Sequence, residues 1–587
     1  MFGAVIMCLL NYSLPALVVL LVCFVFYLKQ RARYFEDRGI PGPKPPSLFL
    51  GHLREKERDG KWFVRYVDWE EQFGKTFGIF EGGHRVIVTS DLDILDDVFN
   101  KQFEKFHSRK IEASFAADQA TINFVNLFFS EGARWKRLRA LIAGVFSAGK
   151  VRSTEGITND SIGATIQEIE KDFEKSKIVD LKPHFLQMSL DVIERVAMGQ
   201  KRTLIGSGIA DDYSAHLFTL FRDAGVTTSW IRSLLAGIYE FRQISEFLFF
   251  ASAVLSPNLR EFNRLGAKLK KVYDQKVKEG GKREQKDFVD YMIESQIEES
   301  EIQDYGKTIT DRKVQKNLTA GEIISAMTMF LVAGYDTTAN SVTYLCYHLA
   351  KNQDVQEKLA DEIRTFIHED EQITMHTVQN MEYLDWCVKE GLRVNPHATG
   401  ALQRRCTETT TVGKENKLQI EKGVCVATNT YSIHFNEEIW GDPERFRPER
   451  FSREESASRH PLAWQPFGAG PRICVGMRFA VMEIKFAIIH VLRRFELRVC
   501  EETELYRAEL IVTAKTHFSV RLVWASRTTA AIRLRAYDLH NVRCFINLPG
   551  WDLPAITKAG NPWRGWDIAL WFPADPCGIS ELELADS

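Results

Sequence analysis

No stretch constrains this chain more than Phe467-Gly468-Ala469-Gly470-Pro471-Arg472-Ile473-Cys474-Val475-Gly476. Its glycines and proline enforce a bend that neither a helix nor a strand absorbs. The bend runs directly into residues 477–491, an apolar periodic segment that reads as a helix. Cys474 is therefore expected at or beside a helix N-terminus, where unsatisfied N–H groups and the positive end of the macrodipole favour a thiolate. Taken alone, such a cysteine could also be an incidental buried thiol or a nucleophile with a distant histidine. A phosphate-binding loop would end in Lys-Ser or Lys-Thr, which is absent here.

The N-terminus carries the second constraint. Residues 2–28 are apolar except for Gly3, Asn11, Ser13 and Pro15, and about 20 apolar residues suffice to span a bilayer. A cleaved signal peptide would show a charged n-region and a small-residue cleavage site, and neither is present. Lys29, Arg31 and Arg33 follow at once, and positive charge keeps that flank cytosolic. Residues 1–28 are thus expected to be an uncleaved single-pass anchor. Residues 29–46 are expected to be a basic and proline-rich hinge, stiffened by Ile40-Pro41-Gly42-Pro43-Lys44-Pro45-Pro46.

The formal net charge of −2 gives no reason to expect a nucleic-acid partner. Ten cysteines stand singly, with no C-x-x-C pair, which speaks against a zinc site or a disulfide scaffold and suits a reducing compartment. Residues 76–80 and 85–89 read as a strand pair around Gly82-Gly83. Residues 91–365 are mostly helical in pattern, and short β-like runs return near 418–428 and 496–523. The fold class expected is mainly α with small β-sheets (α+β), with one catalytic domain over 47–525. Residues 245–255 are apolar but too short to span; they suit a core helix, a second membrane contact or a substrate-access lip. Residues 526–587 contain Trp551, Trp563, Trp566 and Trp571 without helical or strand period, and no role is assigned to them.

The spacing F-x-x-G-x-R-x-C-x-G, carried by Phe467, Gly470, Arg472, Cys474 and Gly476, resembles the haem-binding signature of the cytochrome P450 family. The glycines would let backbone approach a flat macrocycle, and a soft, charged sulfur with backbone donors suits an axial iron ligand. The resemblance extends over residues 30–523. Ala333-Gly334-Tyr335-Asp336-Thr337-Thr338, inside an apolar helical run over 323–349, is similar to the family's distal-helix motif. Gly334 would leave room for oxygen and substrate; the Thr337 hydroxyl would hold a water, with Asp336 as its acidic neighbour. Glu390 and Arg393 match E-x-x-R, on one helical face. Arg450, in Phe446-Arg447-Pro448-Glu449-Arg450-Phe451, would complete a buried Glu-Arg-Arg network that shapes the cysteine loop. The resemblance assigns Trp135, Arg139, Arg404, His434 and Arg472 to the haem propionates, with Phe467 and Gly476 also against the cofactor. Residues 354–359 and Lys286-Asp287-Phe288 are similar to the microsomal drug-metabolising clan that includes thromboxane synthase; Gly391 departs from it, since the clan commonly has Thr there.

The resemblance implies a cytochrome P450 fold behind an N-terminal transmembrane helix, haem b as cofactor and Cys474 as the iron's axial ligand. Thiolate ligation favours O–O cleavage, so the implied reaction inserts one atom of O₂ into a lipophilic substrate: a steroid, fatty acid or xenobiotic. Electrons would come from an NADPH-cytochrome P450 reductase, with cytochrome b5 as a further donor. Lys136 and Arg137 either belong to the acceptor face or are merely solvated. The implied location is the endoplasmic reticulum membrane, with the catalytic domain facing the cytosol. Two alternatives stand beside monooxygenation: a haem-thiolate isomerase or peroxide lyase, and an inactive haem-binding membrane protein. The intact Asp336-Thr337 pair argues for O₂ activation. Cavity walls are expected from 108–129, Phe330, 397–402 and 510–513, which are largely apolar or small and so suit a lipophilic ligand.

Overall fold

The apolar N-terminal run forms a single helix, α1 (Phe2–Ala32), which continues through the basic flank and contains Pro15. Its segment Pro15–Ala32 has a mean hydropathy of 1.6 and is only 11% buried, unlike a core helix, so it is long and apolar enough to cross a membrane. The expected basic flank needs one correction. Arg31 is buried: its guanidinium donates to the carbonyl oxygens of Gly237 (3.2 Å), Leu48 (2.7 Å) and Phe49 (3.0 Å). A side chain that satisfies three carbonyls inside the protein is a clamp between α1 and the body, whereas Lys29 and Arg33 remain exposed.

This computed structural model describes residues 2–57, 62–110, 125–175, 178–207, 213, 216–217, 230–241, 244, 257–280, 286–298, 301, 316–368, 371–397, 400, 402–414, 418–499 and 521–526. The segment 245–255, the expected cavity wall at 510–513, residues 111–124 of the wall at 108–129, and the extension after Ser526 lie outside the described residues.

The helices that position the site are α2 (Gly132–Val145), α3 (Glu155–Lys175), α4 (Leu181–Met198), α5 (Trp230–Gly237), α6 (Ala320–Lys351), α7 (Glu382–Val394) and α8 (Met477–Arg494). At the centre is α6, packed against α4, α7 and α8. Its start is fixed by a capping box: the Thr319 side chain accepts from the Glu322 N–H, and the Glu322 carboxylate accepts from the Thr319 N–H. Burial on nearly every side explains why its sequence is apolar all round. Leu331, Val342, Leu345 and Leu349 join Met188 of α4 and Ile488 of α8 in one core. Gly391 of α7 lies against α6: a Cβ there would sit 3.3 Å from Leu345 Cδ1, so the Thr usual in the resembling clan would need that leucine to give way.

The strand expectations are borne out at 76–89 and 418–428 and at the two ends of 496–523, whose residues 500–520 lie outside the described residues. β1 (Thr76–Glu81) and β2 (His84–Thr89) pair antiparallel, with Thr76 opposite Thr89. Further strands are β3 (Ile178–Asp180), β4 (Gln403–Arg405), β5 (Thr410–Val412), β6 (Leu418–Ile420), β7 (Cys425–Thr428), β8 (Phe495–Arg498) and β9 (Arg521–Ser526). One sheet has the order β1-β2-β7-β4, with β2 and β7 parallel; the others are β3-β9-β8 and β5-β6. The proline-rich hinge lies along β1, where Gly78 N–H donates to Pro41 O at 2.8 Å. The fold is thus mainly helical with small sheets.

Candidate active site

The bend before α8 is built on two glycines in the left-handed region, Gly468 (φ 77°) and Gly470 (φ 68°). A Cβ on Gly470 would lie 2.0 Å from the Phe99 carbonyl oxygen, so the loop packs too closely there for any side chain. The loop closes on itself through Cys474 N–H donating to Phe467 O at 2.9 Å, and Gly476 caps the start of α8. Cys474 lies just before that helix, as expected, and opens onto a cavity. The helix end does not act on this thiol alone. Burial pushes the Cys474 thiol above its ordinary value; the N–H groups of Gly476 and Met477 and the cations Arg139 and Arg109 pull it down without prevailing.

The cavity runs between the cysteine loop and α6. Phe467, Cys474 and Gly476 line one side, and Phe330, Ala333, Gly334, Thr337 and Ser341 line the other, at helical spacing. Gly334 contributes to packing as well as to space, since a Cβ there would sit in ordinary contact, 3.5 Å from Ile193 Cγ1 of α4. The walls are completed by Trp135, Arg139 and Ile142 of α2 together with Phe128, Phe146 and Leu402. Trp135 and Arg139 share one face of α2. Arg137 faces another way, and there it is buried against α6, donating to both Glu322 oxygens (2.8 and 2.7 Å) and to Asn317 O (2.6 Å). Arg137 therefore is neither an acceptor-face residue nor a solvated charge; it fastens α2 to the start of α6.

Four guanidiniums gather around the rim: Arg109, Arg139, Arg404 and Arg472. Arg472 donates to the carbonyl of His107 (2.5 Å) and to that of Ser130, and lies over the Trp135 ring (4.8 Å). Arg139 donates to Ile473 O at 2.7 Å. Arg404 is fully buried, donates to Gln403 O (3.0 Å) and stands over Phe99, one layer behind the cavity surface. Arg109 lines the cavity over Phe128, and its Nε and Nη1, like Arg404 Nε, meet no partner among the described residues. Burial pushes Arg109 down to about 10 and Arg472 well below the usual value, and each cation depresses its neighbours. The carboxylate nearby, Glu131, is taken by Arg405 at 2.5 Å. Arg109 was not singled out in the sequence. It follows Ser108, whose carbonyl accepts from Arg405 N–H (2.8 Å), and this bridge to β4 is a long-range contact that no local motif signals.

Behind the cysteine loop lies the expected ion network. Arg393 donates to both oxygens of Glu390 (Nε 2.7 Å, Nη2 2.9 Å), and Arg450 Nε reaches Glu390 Oε1 at 3.2 Å; all three side chains are buried. His434 belongs to this network and does not reach the cavity, which corrects its expected place at the propionates. Its Nδ1 donates to Arg393 O (3.1 Å) and its Nε2 accepts from Gln465 N–H (3.0 Å), so both ring nitrogens are used. Burial pushes its pKa down to about 3, consistent with a neutral ring that props the chain entering the loop.

On α6, Asp336 and Thr337 are adjacent in sequence but face about 100° apart. Thr337 faces the cavity, its hydroxyl donating to Ala333 O at 2.6 Å. Asp336 is buried on another face, accepts from Asn340 Nδ2 (2.8 Å), and has Lys182 of α4 as its cationic neighbour. Burial pushes Asp336 up to about 6 against the pull of that lysine.

Comparison with known proteins agrees with this architecture. The family described as Cytochrome P450 matches residues 41–518. The chain belongs to the cytochrome P450 family. Among its relatives, a Caenorhabditis elegans protein named as cytochrome P450 cyp-13B1 is 33% identical over 509 residues, covering 84% of this chain and 95% of the relative. Another from the same organism, named as cytochrome P450 CYP13A3, is 30% identical over 525 residues, covering 87% and 98%. The match leaves residues 526–587 outside the family region. As a member, this P450 is a haem-thiolate monooxygenase, and members bind haem b through a cysteine thiolate. The site fits that cofactor. A buried cluster of cations with orphaned N–H groups, beside a carboxylate, Glu131, that is already paired with Arg405, fits an anionic partner, and haem carries two propionates.

Proposed function

We propose that this P450 uses Cys474 as the axial thiolate and inserts oxygen into a lipophilic substrate held between Cys474 and α6. The observation that carries the reading is the cavity itself, with a cysteine on one wall and uncompensated buried arginines at its rim. Arg109, Arg139, Arg404 and Arg472 would hold the propionates, with Trp135 stacked beneath Arg472, and Phe467 and Gly476 would lie against the macrocycle. Bound haem supplies the redox chemistry. The chain supplies the rest: Glu390, Arg393, Arg450 and His434 hold the cysteine loop in shape, and apolar walls exclude bulk water. Lys182, Asp336 and Thr337 form a path for protons into the cavity, with Thr337 at its inner end.

Electrons are assigned to an NADPH-dependent reductase, with cytochrome b5 as a second donor. A groove beside the start of α8, lined by Arg152, Lys389, Trp464, Met477 and Arg478, offers basic side chains next to the cysteine loop and replaces Arg137 as the acceptor face. The exposed apolar face of α1 supports a membrane anchor, and we place the protein in the endoplasmic reticulum membrane with the body on the cytosolic side. Residues 1–28, 29–46, 47–525 and 526–587 remain the proposed divisions.

The test is turnover of a lipophilic panel by the full-length haem-loaded protein under ¹⁸O₂. Product labelled with one ¹⁸O atom, formed only with NADPH and reductase, is the expected outcome. Conversion of an organic peroxide into its own rearrangement or cleavage products, with neither reductant nor reductase and with no second molecule oxidised, would instead identify an isomerase or lyase.

A further inference from the structure

One polar pair on the cavity surface has no part in the chemistry above. Ser341 of α6 and His397, just after α7, stand together beside Thr337. The pair can be read by counting hydrogens. His397 Nδ1 lies 3.0 Å from Asn395 O, a carbonyl that only accepts, so Nδ1 carries the ring's hydrogen. Burial holds the ring neutral, which leaves Nε2 a bare acceptor. Nε2 faces Ser341 Oγ at 3.0 Å, the same Oγ lies 2.8 Å from Thr337 O, and the ring also meets that Thr337 carbonyl. Serine has one hydrogen for these two acceptors. If Ser341 donates to Thr337 O, Nε2 is left unsatisfied; if it donates to Nε2, its Oγ stands against Thr337 O, a carbonyl the α6 ladder already serves, with no hydrogen between them. Protonating the imidazole would complete the set, but burial and the nearby Lys182 cation oppose that.

Either way one contact of the pair lacks a hydrogen, and both residues line the cavity. A ligand O–H directed at Ser341 or His397 would supply the missing hydrogen. A ligand ether or carbonyl oxygen would bring only more lone pairs. Leaving a buried acceptor unmatched is costly, so such a site discriminates sharply by what it receives.

We propose that Ser341 and His397 form an anchor for a hydroxyl group on an otherwise lipophilic substrate, and so help decide which part of that substrate lies beside Thr337. The inference rests on the reading of the cavity as a lipophilic-substrate site. It makes the preferred substrate class lipophilic alcohols.

The test uses the full-length haem-loaded protein and two scaffolds, dodecane and androstane, each as hydrocarbon, alcohol and methyl ether. Dissociation constants are read from ligand-induced shifts of the haem absorption. On at least one scaffold the alcohol should bind about tenfold more tightly than its methyl ether. Ser341→Ala and His397→Phe should each bring that ratio close to one, each variant's alcohol being compared with its own methyl ether. Ser341→Ala removes only a hydroxyl from a helix and carries the test should the histidine variant fail to fold. A ratio near one in the unaltered protein, as when a resident water already supplies the hydrogen, overturns the anchor. So does a ratio that survives both substitutions, because the hydroxyl is then held elsewhere. If the hydrocarbons bind without discrimination, the anchor falls and the lipophilic cavity stands. If neither scaffold perturbs the spectrum, the cavity reading fails and takes the anchor with it.

Discussion

Glu390→Ala is expected to cost on the order of 3–5 kcal/mol, a large share of the roughly 5–15 kcal/mol that holds a typical domain together. The Glu390 carboxylate receives Arg393 Nε (2.7 Å) and Nη2 (2.9 Å), Arg450 Nε (3.2 Å) and the Arg447 N–H (2.9 Å). Removing it leaves two buried guanidiniums without a counter-charge, and the damage reaches the cysteine loop directly. Arg393 also donates to His434 O (2.6 Å), and His434 in turn receives Gln465 N–H at the start of that loop. Arg447→Ala is the control: its side chain pairs with Glu455 at the surface (2.7 Å), so its loss should cost less than about 1 kcal/mol. Urea denaturation followed by far-UV circular dichroism checks both. A Glu390→Ala protein as stable as the Arg447→Ala control would show that the network does not hold the loop.

The second large effect concerns Asp336. A carboxyl group held near pH 6 by burial both keeps and releases a proton under working conditions. Asp336→Asn is expected to lower turnover by about 10²-fold, within the usual range for a lost acid–base group. The sign of the pH dependence follows from the shift. The protonated fraction of Asp336 falls as pH rises through about 6, so turnover limited by proton supply should fall across that window and be flat in Asp336→Asn. Lys182 pulls the Asp336 value down, so Lys182→Met should move the limb to higher pH. Stability follows the same direction. With its folded pKa raised above the ordinary 3.8, Asp336 contributes stability that is present below about pH 4 and lost as pH rises through about 6. A turnover profile for Asp336→Asn that keeps the wild-type limb would remove Asp336 from the proton path.

How much of this was legible in the sequence depended on how local the information was. The cysteine loop, Glu390 with Arg393, and Trp135 with Arg139 each lie within a few residues on one element, where spacing alone fixes the shared face. The β1–β2 pair and the long buried α6 were legible for the same reason. His434 shows the limit: its position along the chain was right, but side-chain direction depends on the turn around Asn429–His434, which aims the ring at Gln465 rather than at the cavity. Arg31 reads as part of a cytosolic basic flank and Arg137 as either an acceptor-face residue or a solvated charge, and only tertiary packing buries them against carbonyl groups and Glu322. Arg109 and the Ser341–His397 pair depend on contacts between distant segments. At Cys474 the helix end is one influence among several, since burial, a property of the whole fold, opposes it.

The central claim is that Cys474 is the axial thiolate, and the ferrous–CO absorption spectrum of the purified full-length protein tests it most directly. The unaltered protein should show the red-shifted Soret band of thiolate ligation, and Cys474→Ala should lose it completely. A thiolate-type band that persists in Cys474→Ala would contradict the assignment.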